Sequence, residues 1–328
     1  MKLKEIYELA TKEGIAADPL GKEEVEKSLE RVKSKYDSLD VKEKEFFDEE
    51  KLRNPYSDTR ILAGDPDTEV RTVLAGIDME IGEVLLADRL REKGNPIDLL
   101  VSHHPEGSAL ASLPEVMLMQ ADIWHKQGVP INIAESLINK RMKEVFRLLM
   151  PINHNRAIDV ARILNIPFIC VHTPSDNLVT SFLQKSFDED PPYTLKDVVY
   201  KLRTFPEYKE AAKEGAGPNI QVGAEENRAG RVMVDMTGGT EGPKEAIEKL
   251  AAAGVGTLVG MHMGEKIRKE AEKHNINVVI AGHMASDSTG MNLFLDRLEK
   301  KGIKILACSG LKRVSRSKQS AQGSRLKA

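Results

Sequence analysis

The sequence predicts an α/β protein whose parallel or mixed sheets are covered by helices. Short apolar runs of strand length alternate with amphipathic helical stretches over residues 61–180 and again over residues 231–310. The runs are almost continuously apolar, which is typical of strands that are buried on both faces. Five of the eight histidines directly follow or end such runs, so the same pattern indicates where a functional site lies.

The individual elements follow from apolar runs and from helical periodicity. The candidate strands are residues 73–78, 97–101, 130–133, 168–171, 232–234, 258–259, 278–280 and 304–307. The candidate helices between them include residues 80–93, 137–149, 157–165, 243–253, 265–274 and 290–301. The resulting strand–helix alternation predicts two α/β lobes, at residues 61–180 and 231–310.

Three further segments complete the predicted organisation. Residues 1–60 are polar and form a helical arm and lead-in, because apolar side chains recur at helical spacing after Gly21. Residues 181–230 form a connection with one short helix that begins at the capping residue Thr194. Residues 311–328 carry basic side chains without an acid, and we expect a disordered tail.

The composition excludes several classes of protein and of site. The 328 residues include 48 basic and 51 acidic side chains, and this net charge of −3 makes nucleic acid an improbable partner. Two cysteines cannot form a disulfide framework or a cysteine-rich zinc site. No apolar run reaches the roughly 18–20 residues of a membrane span. We therefore expect a soluble cytoplasmic protein whose metal ligands, if it has any, are His, Asp and Glu.

The strongest candidate site is the pair His103–His104, which directly follows the apolar run at residues 97–101. Ligands of open α/β sheets bind beyond the carboxyl ends of the strands. Adjacent side chains of an extended chain point in opposite directions, so this pair suits two metal ions better than one. Pro105 ends the strand after the pair.

Two other strand ends add imidazoles and carboxylates. His172 follows residues 168–171, and Asp176 comes four positions later as a candidate oxygen ligand. His283 follows residues 278–280, and a helix that begins after Gly282 would place it on one face with Asp287. His172 is either a ligand or a partner that orients one.

These candidates together suit a dinuclear metal centre. The predicted ligands are His103, His104, Asp176, His283 and Asp287. Two close divalent ions polarise a substrate oxygen and lower the pKa of water. The mixture of imidazole and carboxylate suits Zn, Fe, Mn or Co without selecting one of them.

Three segments of the sequence resemble the Nif-three-like family (Ngg-one-interacting factor three), some of whose members are described as GTP cyclohydrolase I type two homologues. Residues 237–240 also resemble the Gly-rich turn of that family. The segments are Ser102-His103-His104-Pro105, His172-Thr173-Pro174-Ser175-Asp176 and Gly282-His283-Met284-Ala285-Ser286-Asp287.

The resemblance implies two similar α/β lobes with a dinuclear metal centre between them, in a homo-oligomer that is often a ring-shaped hexamer. It assigns His103 and His283 to one ion and His104 and Asp176 to the other. Asp287 takes the bridging position, where the family normally has the longer Glu. The stretch between His104 and Asp176 is also much longer than the family's usual one.

Two functions remain open from the sequence. The first is a metal-dependent hydrolase that acts on a nucleotide-like substrate, at a ring carbon or a phosphoester, with His172 and Asp287 taking part in the chemistry. The second is a non-catalytic metal-binding protein, either an oligomeric scaffold or a metal carrier.

Overall fold

The protein, described here by a computed structural model over residues 1–317, contains two mixed β-sheets covered by helices. The first sheet has the strand order β1-β4-β3-β2-β9 and the second has the order β5-β8-β7-β6. The strands are β1 (Arg60–Ala63), β2 (Thr72–Gly76), β3 (Leu99–Ser102), β4 (Phe168–Cys170), β5 (Asn219–Val222), β6 (Val232–Asp235), β7 (Thr257–Gly260), β8 (Asn277–Ile280) and β9 (Lys304–Cys308).

Fifteen α-helices and one short 3-10 helix at Glu49–Leu52 are present within residues 1–317. The α-helices are α1 (Leu3–Ala16), α2 (Lys22–Ser38), α3 (Val41–Glu45), α4 (Ile81–Glu92), α5 (Gly107–Ala111), α6 (Leu113–Val116), α7 (Met119–Lys126), α8 (Ile131–Leu149), α9 (Arg156–Ile163), α10 (Thr173–Glu189), α11 (Leu195–Leu202), α12 (Pro206–Lys213), α13 (Glu245–Ala252), α14 (Glu265–Lys273) and α15 (His283–Lys300).

The two sheets share one plan, which confirms the predicted α/β fold with two lobes. In each sheet an antiparallel edge strand, β1 or β5, pairs with the last of three successive parallel strands, β2-β3-β4 or β6-β7-β8, and β9 adds a fourth parallel strand to the first sheet. The parallel strands β2, β3, β4 and β7 are buried on both faces, because helices pack their apolar side chains against the sheets. Among residues 1–317, no helix combines the length and apolarity that crossing a bilayer requires.

Each sheet includes a strand from outside the sequence range predicted for its lobe. Strand β9 pairs in parallel with β2 of the first sheet, with Val73 opposite Ile305, although it follows the second lobe in sequence. Strand β5 belongs to the second sheet although it lies in the predicted connection at residues 181–230. The connection also contains two helices, and Thr194 caps the first of them by accepting a hydrogen bond from the Asp197 N–H.

One candidate strand was wrong. Residues 130–133 begin helix α8, with Pro130 as its N-cap. The residues of α8 that are buried, Ala134, Ile138 and Val145, lie on one face at helical spacing, and this longer pattern outweighs a four-residue apolar run. Helices α7 and α8 share a hydrophobic core with α13 and the second sheet, so this part of the long insertion packs on the second lobe, whereas α9 packs on the first sheet.

The N-terminal helix and residues 312–317 both pack against the body of the protein. Leu3, Ile6 and Ala10 of α1 are fully buried in the core of the first lobe, whereas Val25 is the only buried residue of α2. In the segment predicted to be disordered, Arg313 pairs with Asp296 at 2.6 Å and residues up to 317 are described. Residues 318–328 of that prediction lie outside the described residues.

Candidate metal centre

The predicted site residues lie beyond the carboxyl ends of three parallel strands. His103 and His104 directly follow β3, His172 comes between β4 and α10, and His283 is the first residue of α15, after β8. Helix α15 begins directly after Gly282, seven residues before the predicted helix at residues 290–301, so His283 and Asp287 share one helical face. The site thus receives histidines from both sheets.

Close packing of α10 and α15 brings the two aspartates together. Asp176 lies in the first turn of α10 and Asp287 in the second turn of α15, and both are at most 4% exposed. A Cβ atom at Gly290 would collide with the carbonyl oxygen of Ser175, so only glycine permits this approach of the helices.

Four imidazoles direct their Nε2 atoms at these carboxylates. The Nε2 atom of His103 lies 3.4 Å from both Asp176 Oδ1 and Asp287 Oδ1. The other oxygen of Asp287, Oδ2, lies 3.5 Å from His104 Nε2 and 3.4 Å from His283 Nε2. His172 Nε2 is 3.7 Å from Asp176 Oδ2. Asp287 therefore stands between two sets of imidazoles, with one oxygen toward each.

The opposite ring nitrogens of His103, His104 and His172 lie close to protein oxygen atoms. His104 Nδ1 lies 2.7 Å from Asp78 Oδ1, and His172 Nδ1 lies 2.7 Å from Asp58 Oδ2. His103 Nδ1 is 3.3 Å from the carbonyl oxygen of Val171. A histidine that donates through Nδ1 presents an Nε2 lone pair, which is the arrangement of metal-binding histidines with an oriented ring.

The unpartnered carboxylate oxygens and the distances between possible ligand atoms both fit a bound metal ion. Asp176 Oδ1 and both carboxylate oxygens of Asp287 are buried and have no hydrogen-bond partner within residues 1–317. A buried carboxylate without a partner is costly unless a cation compensates it. Two ligand atoms at about 2.1 Å from one ion are about 3.4 Å apart at a tetrahedral angle, which matches the nitrogen–oxygen distances here. Two groups of ligand atoms, each within 4.8 Å, could bind a metal ion: His103, His172, Asp176 and His103, His104, Asp287.

The electrostatics of the centre also suit a cation. Burial lowers the pKa of His103 to about 4, which keeps this imidazole neutral. Burial tends to raise the pKa of Asp287, but His103 and His104 outweigh it and hold this pKa well below its usual range. Burial raises the pKa of Asp176 to about 8, helped by Asp287 and opposed by His172. A bound cation would remove this repulsion between the two carboxylates.

The contacts group the side chains differently from the pairing that the resemblance implies. His103 lies with Asp176 and His172, and His104 lies with His283 through Asp287 Oδ2. All five predicted ligands and His172 nevertheless meet in one cluster, in which His103, His172, Asp176 and Asp287 are buried and His104 and His283 are partly exposed.

Comparison with known proteins decides the fold family. A NIF3 superfamily protein from Sphaerobacter thermophilus is similar over 78% of this chain and 92% of that chain, with 27% sequence identity and a TM-score of 0.68. The resemblance to the NIF3 superfamily is confirmed. More remote similarities include reduced HcgD from Methanocaldococcus jannaschii (15% identity, 75% of this chain and 87% of that one, TM-score 0.43) and a Bacillus cereus protein related to NIF3 (13% identity, 76% and 91%, TM-score 0.40). No family model and no curated protein matches the sequence.

Sequence reasoning missed two residues of this NIF3-type site. Asp78 follows β2 just as the histidines follow their strands, so the same signal could have found it. Asp58 is fully buried and also accepts a hydrogen bond from Thr173 Oγ1 at 2.6 Å. It precedes β1, an edge strand that the sequence pattern did not predict, so no signal marked it.

The long insertion contributes to the pocket beside the metal centre. This pocket, of about 120 Å³, is lined by His103, His283 and Asp287 on one side and by the Gly-rich turn at residues 237–240 on the other. Gln120 of α7 is buried, and its Nε2 donates to the carbonyl oxygens of Gly238 at 2.6 Å and Thr240 at 2.7 Å. The insertion thus holds one wall of the pocket.

We expect the variant Gln120→Leu to lower the free energy of unfolding by about 1–3 kcal/mol, because the Thr240 carbonyl loses its donor and the Gly238 carbonyl retains only the Thr240 N–H. Urea denaturation measures this change. The matched control is Gln127→Leu at the end of the same helix, where no side-chain hydrogen bond is seen within residues 1–317, and we expect a change within about 0.5 kcal/mol. Equal changes in the two variants would contradict the proposed support of the turn by Gln120.

Proposed function

We propose that this protein is a dinuclear metal-dependent hydrolase that acts on a nucleotide-like substrate, at a ring carbon or a phosphoester. The observation that carries the proposal is Asp287, whose two buried oxygens lack hydrogen-bond partners among residues 1–317 and face separate imidazoles. A carboxylate in this position suits a bridge between two ions. His103, His172 and Asp176 would hold one ion, and His104 and His283 would hold the other.

Two divalent ions bound there would supply Lewis-acid polarisation of a substrate oxygen and a water of lowered pKa. The chain's own groups supply orientation and proton transfer. The hydrogen bond from His172 Nδ1 to Asp58 fixes this ring with Nε2 toward the centre, where Nε2 would hold either an ion or a proton. Burial alone lowers the pKa of His172, but Asp176 and Asp58 raise it to about 9, so without an ion on Nε2 this imidazole carries a proton that it can donate.

Elemental analysis and a turnover assay on the same preparation test the proposal. We expect two equivalents of Zn, Fe, Mn or Co per chain, and hydrolysis of either GTP or a simple phosphodiester such as bis(p-nitrophenyl) phosphate by the loaded protein. A chain that binds no metal would refute the dinuclear centre. A fully loaded chain without turnover of either substrate would refute the hydrolase and leave the metal-binding function.

The second candidate function is a non-catalytic scaffold or metal carrier. The N-terminal arm favours it, because Val41 and Phe46 are each 86% exposed and α2 buries only Val25. Such an arm suits contact with a partner or another subunit. With either function we propose a homo-oligomer, specifically a hexamer. Measurement of the molecular mass in solution tests this oligomeric state.

A further inference from the structure

A buried hydrogen-bond chain joins the Gly-rich turn of the pocket to the helix that carries Asp176. Thr237 lines the pocket, and its Oγ1 donates to Oδ1 of Asn177 at 2.6 Å. Asn177 directly follows Asp176 near the start of α10, and it is 0% exposed and does not line the pocket itself. The same end of α10 therefore carries a candidate metal ligand and the partner of the pocket wall.

The nitrogen of the Asn177 amide fixes the orientation of this side chain. Its Nδ2 lies 3.2 Å from the carbonyl oxygen of Gly14, 3.3 Å from Asp18 Oδ2 and 3.2 Å from the hydroxyl oxygen of Tyr56. A carbonyl and a carboxylate only accept hydrogen bonds, so an amide turned the other way would place its oxygen against two acceptors. Oδ1 of Asn177 therefore faces Thr237, whose hydroxyl donates its one proton to it.

Asp18 anchors the far end of this chain. The residue is buried, its Oδ1 accepts from the Leu20 N–H at 2.9 Å, and its Oδ2 accepts from the Tyr56 hydroxyl at 2.8 Å. Both of its oxygens accept, as those of a carboxylate do and as an amide cannot. Gly14 lets this segment approach α10, because a Cβ atom there would lie 2.7 Å from Pro174 Cβ. Residues 14–18, which the sequence places in the helical arm, therefore support the start of α10.

The Gly-rich turn is thus held from two directions. From the insertion, Gln120 donates to two carbonyl oxygens of the turn. From α10, Asn177 accepts from Thr237, the first residue of the turn. The second contact relates the turn to the metal centre, because Asn177 is the covalent neighbour of Asp176.

We propose that Asn177 and Thr237 are positioning residues, which set the distance between the Gly-rich wall of the pocket and the metal centre. A substrate whose reacting end lies at the centre meets this wall with its other end, so the distance determines how well the substrate binds. The inference rests on the proposed function for the presence of that substrate. Asp18 and Tyr56 act one step further away, since they fix the amide of Asn177.

The only tryptophan of the chain reports on the turn. Trp124 of α7 is 3% exposed and lines the pocket. Gly242, two residues after the turn, packs against its ring, because a Cβ atom there would lie 2.9 Å from the indole. Displacement of the turn would uncover this ring. Acrylamide quenching of Trp124 fluorescence therefore measures how firmly the turn is held, with neither substrate nor turnover.

Acrylamide quenching and steady-state kinetics of the metal-loaded protein test the proposal. Thr237→Val removes the hydroxyl and keeps the shape of the side chain, whereas Thr237→Ser keeps the hydroxyl. We expect Thr237→Val to raise the quenching constant at least about twofold, as local opening of the turn admits the quencher. The KM for GTP or bis(p-nitrophenyl) phosphate should rise at least about fivefold, with kcat within about threefold. Thr237→Ser should restore both values, and both variants should retain the metal content of the wild type.

The remote variant Asp18→Asn distinguishes the chain from a local effect at the turn. An amide has one accepting oxygen and cannot satisfy both Leu20 and Asn177, so the Asn177 amide loses its fixed orientation. We expect quenching and KM to change in the same direction as in Thr237→Val, although Asp18 does not line the pocket. The two effects should not add in the double variant, because both act through one contact.

The matched control is Thr204→Val. Thr204 is exposed, lies outside the pocket and donates to a carbonyl oxygen of its own chain turn at 2.7 Å. This variant also exchanges a hydroxyl for a methyl group, and its quenching constant and KM should equal those of the wild type.

An unchanged quenching constant in Thr237→Val, an equal change in Thr237→Ser, or additive effects in the double variant would each overturn the proposal. Raised quenching with an unchanged KM would also overturn it, because the contact would then only stabilise the turn. Failure of the proposed function is a separate observation. If the turn loosens in these variants of a protein that hydrolyses neither GTP nor a phosphodiester, Asn177 and Thr237 still position the wall, and only the hydrolase with those substrates is refuted.

Discussion

The variant Asp287→Asn is expected to lose both metal ions, with a fall in metal affinity of at least about 100-fold. Removal even of a residue that only orients a metal ligand typically costs 10–100-fold, and Asp287 faces three imidazoles with its own oxygens. Turnover by the hydrolase should fall to background in the same variant. Elemental analysis after dialysis and a titration with Zn²⁺ measure the loss.

The Asp287→Asn variant should lose metal affinity but should not lose stability in the metal-free state. In the metal-free wild type the buried Asp287 carboxylate has no hydrogen-bond partner in the described part of the chain, whereas an amide is neutral and can donate to imidazole nitrogens. We expect metal-free Asp287→Asn to be at least as stable as the metal-free wild type. A chelator should lower the melting temperature of the wild type and leave that of the variant unchanged.

The matched control is Asp296→Asn, a second buried aspartate on α15. Asp296 accepts hydrogen bonds from Arg313 at 2.6 Å and from the Arg316 N–H at 3.1 Å. Its replacement should destabilise the protein equally with and without metal, because it weakens an ion pair that metal does not touch, and it should retain both ions. If Asp287→Asn retains its metal, or if Asp296→Asn loses it, the assignment of Asp287 to the centre is wrong.

The second large effect is expected at Asp58, in comparison with Asp78. Both carboxylates hold a histidine of the centre through Nδ1 at 2.7 Å, but the side chain of Asp58 is 0% exposed and that of Asp78 is 54% exposed. Asp58→Ala should lower the free energy of unfolding by about 3–5 kcal/mol, because His172 and Thr173 lose their shared buried acceptor. Asp78→Ala should cost at most about 1 kcal/mol, because water replaces an exposed partner.

Metal affinity provides the second measurement for this pair. Each variant should bind metal about 10–100-fold more weakly, since each frees the ring of one histidine to rotate. Urea denaturation of the metal-free proteins and Zn²⁺ titration of the folded proteins separate the two effects. Equal losses of stability would show that burial does not distinguish the two carboxylates, contrary to our expectation.

Much of the fold was accessible from the sequence because buried parallel strands leave a strong local pattern. Seven of the eight candidate strands coincide with observed strands, and the histidines at their carboxyl ends mark the site. The exception, residues 130–133, shows the limit of that pattern, since a four-residue apolar run does not distinguish a strand from the first turn of a helix. Edge strands β1 and β5 were missed, because they are short and half of β5 is exposed.

The sequence by itself determined the chemistry of the site. With two cysteines in 328 residues, the candidate metal ligands were imidazoles and carboxylates, and their places after apolar runs and at i,i+4 spacing on α15 were local properties of the chain. Only the tertiary structure decided which partners these side chains meet. The addition of β9 to the first sheet, the packing of α7 and α8 on the second lobe, and the contact of Asp58 with His172 across 114 residues all join segments that are remote in sequence. Such contacts depend on the summed burial and pairing of whole elements, which no local pattern contains.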